Sequence, residues 1–242
     1  MNRLETYDLG LVPYRVAWDI QKSIQQRLID EKLKSRDDKS FKPVYNDVLL
    51  IVEHPHVYTL GKSGDQAHLL KSLLELKEID AEFVPNDRGG DITYHGPGQI
   101  VGYPILDLDR YFTDIHKYLR LLEEVIIRVC SEFDLKAGRI DGLTGVWVDD
   151  QKLCAMGIRC SRWVTMHGFA LNVNTDLEYF NHIVPCGIQG KAVTSLAQLT
   201  GRQVDVEKVK KLILRHFADL FEVEYVKDAK LPESEGQFSY LS

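Results

Sequence analysis

The spacing of hydrophobic residues changes in the middle of the chain, and this change limits the possible folds more than any other feature. Over residues 114–133 apolar residues recur at steps of three and four, which predicts a helix with one buried face. From Gly145 onward they alternate, which predicts a meander of strands over 145–148, 152–158 and 164–173. Strands on both sides of one long helix predict an α+β fold with a mixed or antiparallel sheet, and argue against a Rossmann-type domain.

Weaker patterns supply the remaining predicted elements. We expect helices over 14–33, 69–76, 194–199 and 206–221, and strands over 47–52, 57–60, 92–94 and 100–106. A boundary at 204–206 would set off a small C-terminal subdomain. Residues 229–242 have little to bury and are predicted to form a tail.

Charge and composition narrow the class of protein. The 242 residues are 44% hydrophobic and 27% charged, as in ordinary globular proteins, and 30 basic against 36 acidic residues give a net charge of −6. Nucleic-acid-binding proteins normally carry a basic surplus, so no nucleic-acid partner is expected. The longest aliphatic run, residues 48–52, cannot span a bilayer, and the charged N-terminus does not resemble a signal peptide. These features predict a cytoplasmic protein without a membrane partner.

The cysteines are few and irregularly spaced: Cys130, Cys154, Cys160 and Cys186. This spacing argues against a disulfide framework, and the absence of a C-x-x-C pair argues against a zinc site. His54 and His56 have no carboxylate or thiol at a fixed spacing beside them, so they are weak metal ligands. We expect no metal and no cofactor, and we expect thiols that are free to act as nucleophiles.

A glycine-rich block from Arg88 to Gln99 is unlike the rest of the chain. It has four glycines in twelve residues, mixed with Arg, Thr, His and Gln. Such a composition lets a backbone approach a ligand closely while polar groups surround it. The alternative is a glycine-rich hairpin whose polar residues cap turns.

Cys186 is the favoured nucleophile, because a cysteine between Pro185 and Gly187 lies in a loop where its sulfur can be exposed. The competitor is Cys154, which strand alternation would place on the same face as Lys152. A cation near a thiol favours the thiolate, so Lys152 can activate either cysteine, or it can be an ordinary solvated lysine. The small residues Gly168 and Ala170 leave room for an aliphatic ligand, or only for tight packing.

Together these segments resemble the octanoyltransferase family of lipoate biosynthesis, the lipoyl(octanoyl) transferases. The resemblance covers residues 47–200 and consists of five motifs in order. They are Glu53-His54-Pro55, the 88–99 block, Lys152-x-x-Ala155-x-Gly157-Ile158-Arg159, His167-Gly168-x-Ala170-Leu171-Asn172 and Pro185-Cys186-Gly187.

The resemblance implies a single catalytic domain, here over 1–228, with the fold of biotin and lipoate protein ligases. It implies transfer of an octanoyl group from octanoyl-acyl carrier protein to the lipoyl-domain lysine of 2-oxoacid dehydrogenases or of the glycine cleavage H protein. Cys186 is then the thioester-forming nucleophile, and Lys152 lowers its pKa. The implied substrate-binding residues are Arg88, Gly89, Gly90, Asp91, Ile92, Thr93, Tyr94, His95, Ala155, Met156, Gly157, Gly168, Phe169 and Ala170.

Two other activities remain open. An ATP-dependent lipoate or biotin protein ligase would share the fold and the lysine but would not need Cys186. A non-catalytic acyl- or lipoyl-domain-binding protein would need neither Cys186 nor Lys152, so the presence of both favours the transferase. The acceptor lysine must lose a proton before it attacks, and Lys152 or His95 is the expected proton acceptor. Among the basic residues, Arg139, Arg162 and Lys191 are expected around the pocket mouth, facing an acidic carrier protein.

Overall fold

Two sheets and five α-helices form the described part of the protein. The computed structural model describes residues 1–43, 45–184 and 192–226, so Cys186, Lys191 and the predicted tail over 229–242 lie outside the described residues. The helices are α1 (Tyr14–Asp37), α2 (Leu73–Glu78), α3 (Ile115–Ser131), α4 (Leu196–Thr200) and α5 (Val206–Phe221). Three short 3₁₀ turns lie at Gln66–His68, Leu108–Arg110 and Leu177–His182.

Eight strands form the larger sheet, in the order β11-β1-β2-β6-β10-β9-β8-β7. These strands are β1 (Asn2–Leu11), β2 (Asp47–Glu53), β6 (Gln99–Ile105), β7 (Ala137–Ile140), β8 (Leu143–Val148), β9 (Gln151–Ser161), β10 (Val164–Asn172) and β11 (Val223–Tyr225). β1 runs parallel to β2 and β11, whereas the pairs from β2 to β7 are antiparallel. The smaller sheet has the order β4-β3-β5, with β3 at Val57–Leu60, β4 at Glu82–Pro85 and β5 at Ile92–His95.

Helices cover both faces of the larger sheet, and strand alternation decides which residues each helix contacts. On β2, Val48, Leu50 and Val52 belong to a core that also holds Ile20 and Leu28 of α1. Leu49 and Ile51 of the same strand belong to a second core. That core takes most of its helical residues from α3 and α5, among them Leu122, Ile126, Ile213 and Phe217. β2 is therefore buried on both faces, which explains its continuous aliphatic sequence.

The shared core overturns one prediction about the domain boundary. Val209, Ile213 and Phe217 of α5 pack in the same cluster as Leu4 of β1 and Ile126 of α3. Asp205 caps the N-terminus of α5, because its side chain accepts from the backbone N–H groups of residues 207 and 208. A helix cap explains the polar residues there. The C-terminal subdomain predicted at 204–206 is therefore not a separate unit.

The helix predicted over 69–76 is present but begins later, at Leu73, because Ser72 caps its N-terminus. Ser72 is an N-cap whose side chain accepts from the backbone N–H of Glu75, while the Glu75 carboxylate accepts from the N–H of Ser72. This capping box starts α2 only at Leu73.

The meander of β8, β9 and β10 is confirmed. Within the described ranges, no helix is long and apolar enough to cross a membrane.

Candidate active site

A cavity of about 590 Å³ lies where β5, β6, β9 and β10 meet the glycine-rich block. This volume is within the range of about 300–1,000 Å³ that is typical of small-molecule sites. Thirteen of the fourteen predicted substrate-binding residues line it. They are Arg88, Gly89, Gly90, Asp91, Ile92, Thr93, His95, Ala155, Met156, Gly157, Gly168, Phe169 and Ala170. Lys152 lines it as well.

Tyr94 is the predicted residue that the structure does not bring to the cavity wall. It is fully buried and packs in a hydrophobic cluster with Tyr58 and Phe180. Its hydroxyl lies 2.7 Å from Nδ1 of His56, and its ring stacks on Tyr179 at a centroid distance of 5.0 Å. Tyr94 therefore supports the smaller sheet, and its role as a substrate contact stays a prediction.

The glycine-rich block is not a hairpin, because its two strands enter different sheets. β5 pairs with β3 in the smaller sheet, and β6 pairs with β2 and β10 in the larger one. The loop before β5 docks on β9, since the Gly89 N–H donates to the Ile158 carbonyl over 2.8 Å. A Cβ atom on Gly157 would lie 2.7 Å from the Gly89 carbonyl oxygen. Gly157 is therefore required for this close approach.

The Arg88 guanidinium holds the same loop against β3. Its Nη2 donates to the carbonyl oxygen of Thr59 over 2.6 Å and to the Thr59 hydroxyl over 3.0 Å. Its Nη1 donates to the Gly89 carbonyl over 3.1 Å. Arg88 is 8% exposed, so these contacts fix the shape of the cavity wall from inside the protein.

Asp87, which sequence reasoning passed over, ties the loop to β9 and β10 through charge. Its carboxylate accepts from Nε2 of His167 over 2.8 Å and pairs with Arg159. Partial burial alone would raise the pKa of Asp87, but the His167 hydrogen bond and the Arg159 charge hold it below its usual value. Burial lowers the pKa of His167 despite Asp87. The signal available in the sequence was the position of Asp87, directly before the glycine-rich block.

His95 begins a chain of hydrogen bonds, here named the amide relay, which comprises His95, Gln99, Asn172 and Thr194. Gln99 donates through Nε2 to the Tyr94 carbonyl over 3.1 Å and to Oδ1 of Asn172 over 2.9 Å. Its Oε1 therefore accepts, and the partner 2.8 Å away is Nδ1 of His95. Asn172 donates through Nδ2 to the Thr194 carbonyl over 3.0 Å.

The amide relay ends on the backbone of Lys152. The Thr194 N–H donates to the Lys152 carbonyl over 3.0 Å, and the Lys152 N–H donates to the Ala192 carbonyl over 2.9 Å. The Lys152 ammonium lies 4.8 Å from the centroid of the Trp147 ring. Residues of two motifs thus fix the strand position from which Lys152 enters the cavity.

Both chain segments that flank residues 185–191 are anchored at the cavity. On one side, Val184 donates its N–H to the His68 carbonyl over 2.9 Å. On the other side, Val193 forms a bridge with Lys152. His68, Lys152 and Val193 all line the cavity. Cys186 itself lies outside the described residues, and its role stays a prediction.

Cys154 is close enough to Lys152 for the lysine charge to lower its pKa, but burial opposes this effect and is stronger. It is fully buried in the cluster that also holds Cys130 of α3, and burial raises its pKa well above the usual value for a thiol. Burial raises the pKa of Cys130 to about 12 and also raises that of the half-buried Cys160. None of these three thiols lines the cavity.

A histidine that the sequence did not single out also lines the cavity. His68 donates through Nδ1 to Oδ2 of Asp91 over 2.6 Å, and both side chains are on the cavity wall. An isolated histidine in a polar stretch gives no signal in the sequence. Its carboxylate partner, 23 residues later, is brought beside it by the fold.

Neither of the described arginines expected around the pocket mouth lines the cavity. Arg139 donates to the carboxylates of Glu123 and Glu124, each over 2.9 Å. Arg162 lies in the turn between β9 and β10, where its carbonyl accepts from Lys32. Lys191 lies outside the described residues.

The His54 and His56 pair is engaged elsewhere. Both ring nitrogens of His54 are in hydrogen bonds, with the Val12 carbonyl at 2.6 Å and the Tyr103 hydroxyl at 2.7 Å. Within residues 1–43, 45–184 and 192–226, no group of three or more His, Cys, Asp or Glu side chains could hold a metal ion.

Comparison with known proteins identifies a family and several relatives that this chain resembles. The family model described as the lipoyl protein ligase A/B catalytic domain matches residues 13–218. The chain is 57% identical over 231 residues to an octanoyltransferase of Christiangramia forsetii, covering 93% of this chain and 98% of that protein. It is 54% identical over 231 residues to an octanoyltransferase of Flavobacterium johnsoniae, covering 93% and 99%.

Among solved structures, lipoate-protein ligase A bound with ATP has a TM-score of 0.75 to this chain at 16% identity. The match covers 98% of this chain and 92% of that one. At this identity the likeness shows the fold alone. The predicted fold class, an α+β fold with a mixed sheet of the lipoate protein ligase type, is confirmed.

Proposed function

We propose that this chain, which belongs to the lipoyl protein ligase A/B family and is an octanoyltransferase of protein lipoylation, works through an octanoyl thioester on Cys186. The donor in this proposal is octanoyl-acyl carrier protein. The acceptor is the lipoyl-domain lysine of a 2-oxoacid dehydrogenase or of the glycine cleavage H protein.

The anchoring of the residues that flank Cys186 at the cavity wall supports its proposed role. The described residues on both sides of segment 185–191 are hydrogen-bonded to residues of the cavity wall, His68 on one side and Lys152 on the other. Cys186 follows Val184 by two positions. The described cysteines do not line the cavity, which favours Cys186 over Cys154 as the nucleophile.

Lys152 is the proposed activator of the thiol. A positive charge beside a cysteine favours the thiolate, which is the nucleophilic form. The thiolate attacks the carbonyl carbon of the carrier thioester, and the carrier thiol leaves. One thioester bond is exchanged for another, so the step needs no ATP.

The cavity is the proposed site of the acyl chain. Its wall combines apolar side chains such as Ile92, Met156 and Phe169 with backbone of the glycine-rich block. A buried wall of this kind excludes water from the thioester until an amine arrives. The thirteen cavity-lining residues predicted from the sequence are the proposed contacts.

His95 is a poor base in this arrangement, although the sequence made it a candidate proton acceptor. Its Nδ1 donates to Gln99, and its Nε2 lies 3.3 Å from the Thr59 hydroxyl, which can donate to it. Burial holds the pKa of His95 well below its usual value, and the neighbouring His54 lowers it further. We therefore assign His95 to positioning Gln99.

We also propose that the reaction takes place in the cytoplasm. Cys130, Cys154 and Cys160 are free thiols in the structure. Free thiols are typical of proteins from reducing compartments. Fractionation of the native host cell, followed by detection of the protein with an antibody, tests this location.

Intact-mass measurement tests the thioester proposal. After mixing with octanoyl carrier protein, the wild-type enzyme should gain the mass of one octanoyl group, and peptide mapping should place it on Cys186. C186A should not gain this mass and should not acylate a lipoyl domain. C160A is the matched control, because Cys160 is a half-buried thiol outside the cavity, and it should behave like the wild type.

The same experiment separates the transferase from a ligase. Free octanoate with ATP should give no acylation of a lipoyl domain, because the proposed step starts from a thioester. Acyl mass on another cysteine would contradict the role of Cys186. Acylation from octanoate and ATP by C186A would establish a ligase mechanism instead.

A further inference from the structure

We propose that His68 and Asp91 form a catalytic pair that takes the proton from the acceptor lysine before it attacks the thioester. This inference rests on the proposed function, because it concerns the second half of that reaction. A lysine side chain in water is protonated at neutral pH and has no lone pair with which to attack. Some group at the cavity must therefore accept its proton.

The hydrogen bonds of the pair leave His68 ready to act as a base. Nδ1 of His68 carries a proton, because it donates to Oδ2 of Asp91 over 2.6 Å. The lone pair of the neutral ring is then on Nε2, and no described residue forms a hydrogen bond with that atom. Oδ1 of Asp91 accepts from the Ile92 N–H over 2.7 Å, which fixes the carboxylate in place.

The carboxylate also stabilises the product of proton transfer. When Nε2 takes a proton, the ring becomes an imidazolium beside the Asp91 carboxylate. A carboxylate hydrogen-bonded to the far nitrogen of a histidine base orients the ring and stabilises its charged form. The pair therefore supplies both parts of a general base.

Exposure distinguishes His68 from the other cavity histidines. Its side chain is 29% exposed, whereas that of His167 is 2% exposed and His95 is buried. The acceptor lysine comes from another protein and reaches the cavity from solvent. His68 is also hydrogen-bonded through its carbonyl to Val184, at the start of the segment that leads to Cys186.

Nε2 of His68 takes one proton from the acceptor ammonium, which leaves a neutral amine. The amine nitrogen forms a bond to the thioester carbonyl carbon, and the bond between that carbon and sulfur breaks. The leaving thiolate takes a second proton from the new amide nitrogen, and the imidazolium returns its proton to solvent.

Separate measurement of the two half-reactions tests this assignment. H68Q should load octanoyl from the carrier protein as fast as the wild type. It should transfer octanoyl to a purified lipoyl domain about 10²-fold more slowly, since general-base catalysis contributes about 10²–10⁴-fold. D91N keeps an acceptor for Nδ1 but loses the charge, so it should slow the same transfer by about tenfold. H116Q removes an exposed histidine outside the cavity and should change neither half-reaction.

Hydroxylamine distinguishes a chemical role from a structural one. It is neutral at neutral pH, so it releases the acyl group without a base. H68Q should therefore release octanoyl to hydroxylamine at the wild-type rate. Lysine transfer by H68Q within about twofold of the wild type would overturn the inference. Equal slowing with hydroxylamine and with lysine would do the same, because it would indicate a distorted site.

Failure of the proposed function would look different. In that case the wild-type enzyme would not become acylated on Cys186 at all. Normal loading of wild type and H68Q, together with normal lysine transfer by H68Q, would leave the thioester mechanism standing and remove His68 from it.

Discussion

Nε2 of Gln99 donates to Oδ1 of Asn172 over 2.9 Å, and this bond joins the glycine-rich block to the strand that ends beside Lys152. Gln99 is the first residue of β6 and Asn172 the last residue of β10, so they meet in adjacent antiparallel strands. Through Thr194, Asn172 also holds the segment that pairs with Lys152. The two family motifs that end in these residues are therefore joined to the backbone of Lys152 by hydrogen bonds.

Substitution of Asn172 tests the amide relay. N172D keeps an acceptor for Gln99 but replaces the donor to the Thr194 carbonyl with an oxygen, which repels that carbonyl. Loss of a buried hydrogen bond costs about 1–3 kcal/mol, so the free energy of unfolding should fall by that amount. Loading of octanoyl should slow by about tenfold or more, because Lys152 is no longer held in place.

Asn174 provides a matched control for this variant. It also donates through Nδ2 to a carbonyl, that of Val204 over 2.8 Å, but it does not line the cavity. N174D should therefore lower the unfolding free energy measured in urea while loading continues at the wild-type rate. If N172D and N174D slow loading equally, the amide relay has no specific effect on the site.

The close contact between Gly157 and the Gly89 carbonyl predicts that the shape of the cavity wall requires glycine at position 157. In G157A the new Cβ atom would lie 2.7 Å from the Gly89 carbonyl, which is too close, so the loop must move. Overpacking of this kind costs about 1–3 kcal/mol. We expect a lower melting temperature and a raised KM for the octanoyl donor. In G138A the new atom meets nothing within 4 Å, so both quantities should stay unchanged. An unaltered KM in G157A would show that the loop adjusts without cost.

Much of this site could be predicted because its motifs are contiguous in the sequence. Residues 88–95 form one loop and β5, residues 155–157 lie on β9 and residues 168–170 on β10, and strand pairing brings β9 and β10 together. His68 and Asp91 could not be paired from sequence, because their contact depends on how the 3₁₀ turn at Gln66–His68 packs on the loop before β5. For Tyr94, membership of a motif did not reveal that its side chain packs in a cluster with Tyr58 and Phe180.

The same distinction explains two of the strands that the sequence did not predict. β1 and β11 pair through Asn2 and Val223, at opposite ends of the described chain, and such pairing leaves no local pattern. β1 also carries charged residues among Leu4, Tyr7 and Leu9, so its buried positions are widely spaced. By contrast, β2 is buried on both faces, and its aliphatic run made it easy to predict.

Lys152 is predicted to control the reactivity of Cys186. Loss of a nearby cation disfavours the thiolate, so K152A should shift alkylation of Cys186 by iodoacetamide to higher pH. Mass spectrometry of the labelled peptide across a pH series measures this shift. K136A removes an exposed lysine that is not on the cavity wall and should give the wild-type profile. A K152A profile that coincides with the wild type would remove Lys152 from this role.

Burial of His54 predicts that the folded protein loses stability as the pH falls. Burial lowers its pKa from 6.5 to about 4, and both ring nitrogens are hydrogen-bonded in the folded protein. Below about pH 6.5 the unfolded chain therefore binds a proton that the folded protein excludes, and the folded state loses stability as the pH falls toward 4. At about 1.4 kcal/mol per pH unit, this one group contributes on the order of 3 kcal/mol of that loss.

Urea unfolding at several pH values between 7 and 4.5 measures the effect. H54Q cannot be protonated in this range, so its unfolding free energy should fall less steeply with decreasing pH than that of the wild type. H54Q should also be less stable than the wild type at pH 7, because it loses hydrogen bonds to Val12 or Tyr103. H116Q removes an exposed histidine and should keep the wild-type slope. Equal slopes for H54Q and the wild type would mean that the acid sensitivity of the fold arises elsewhere.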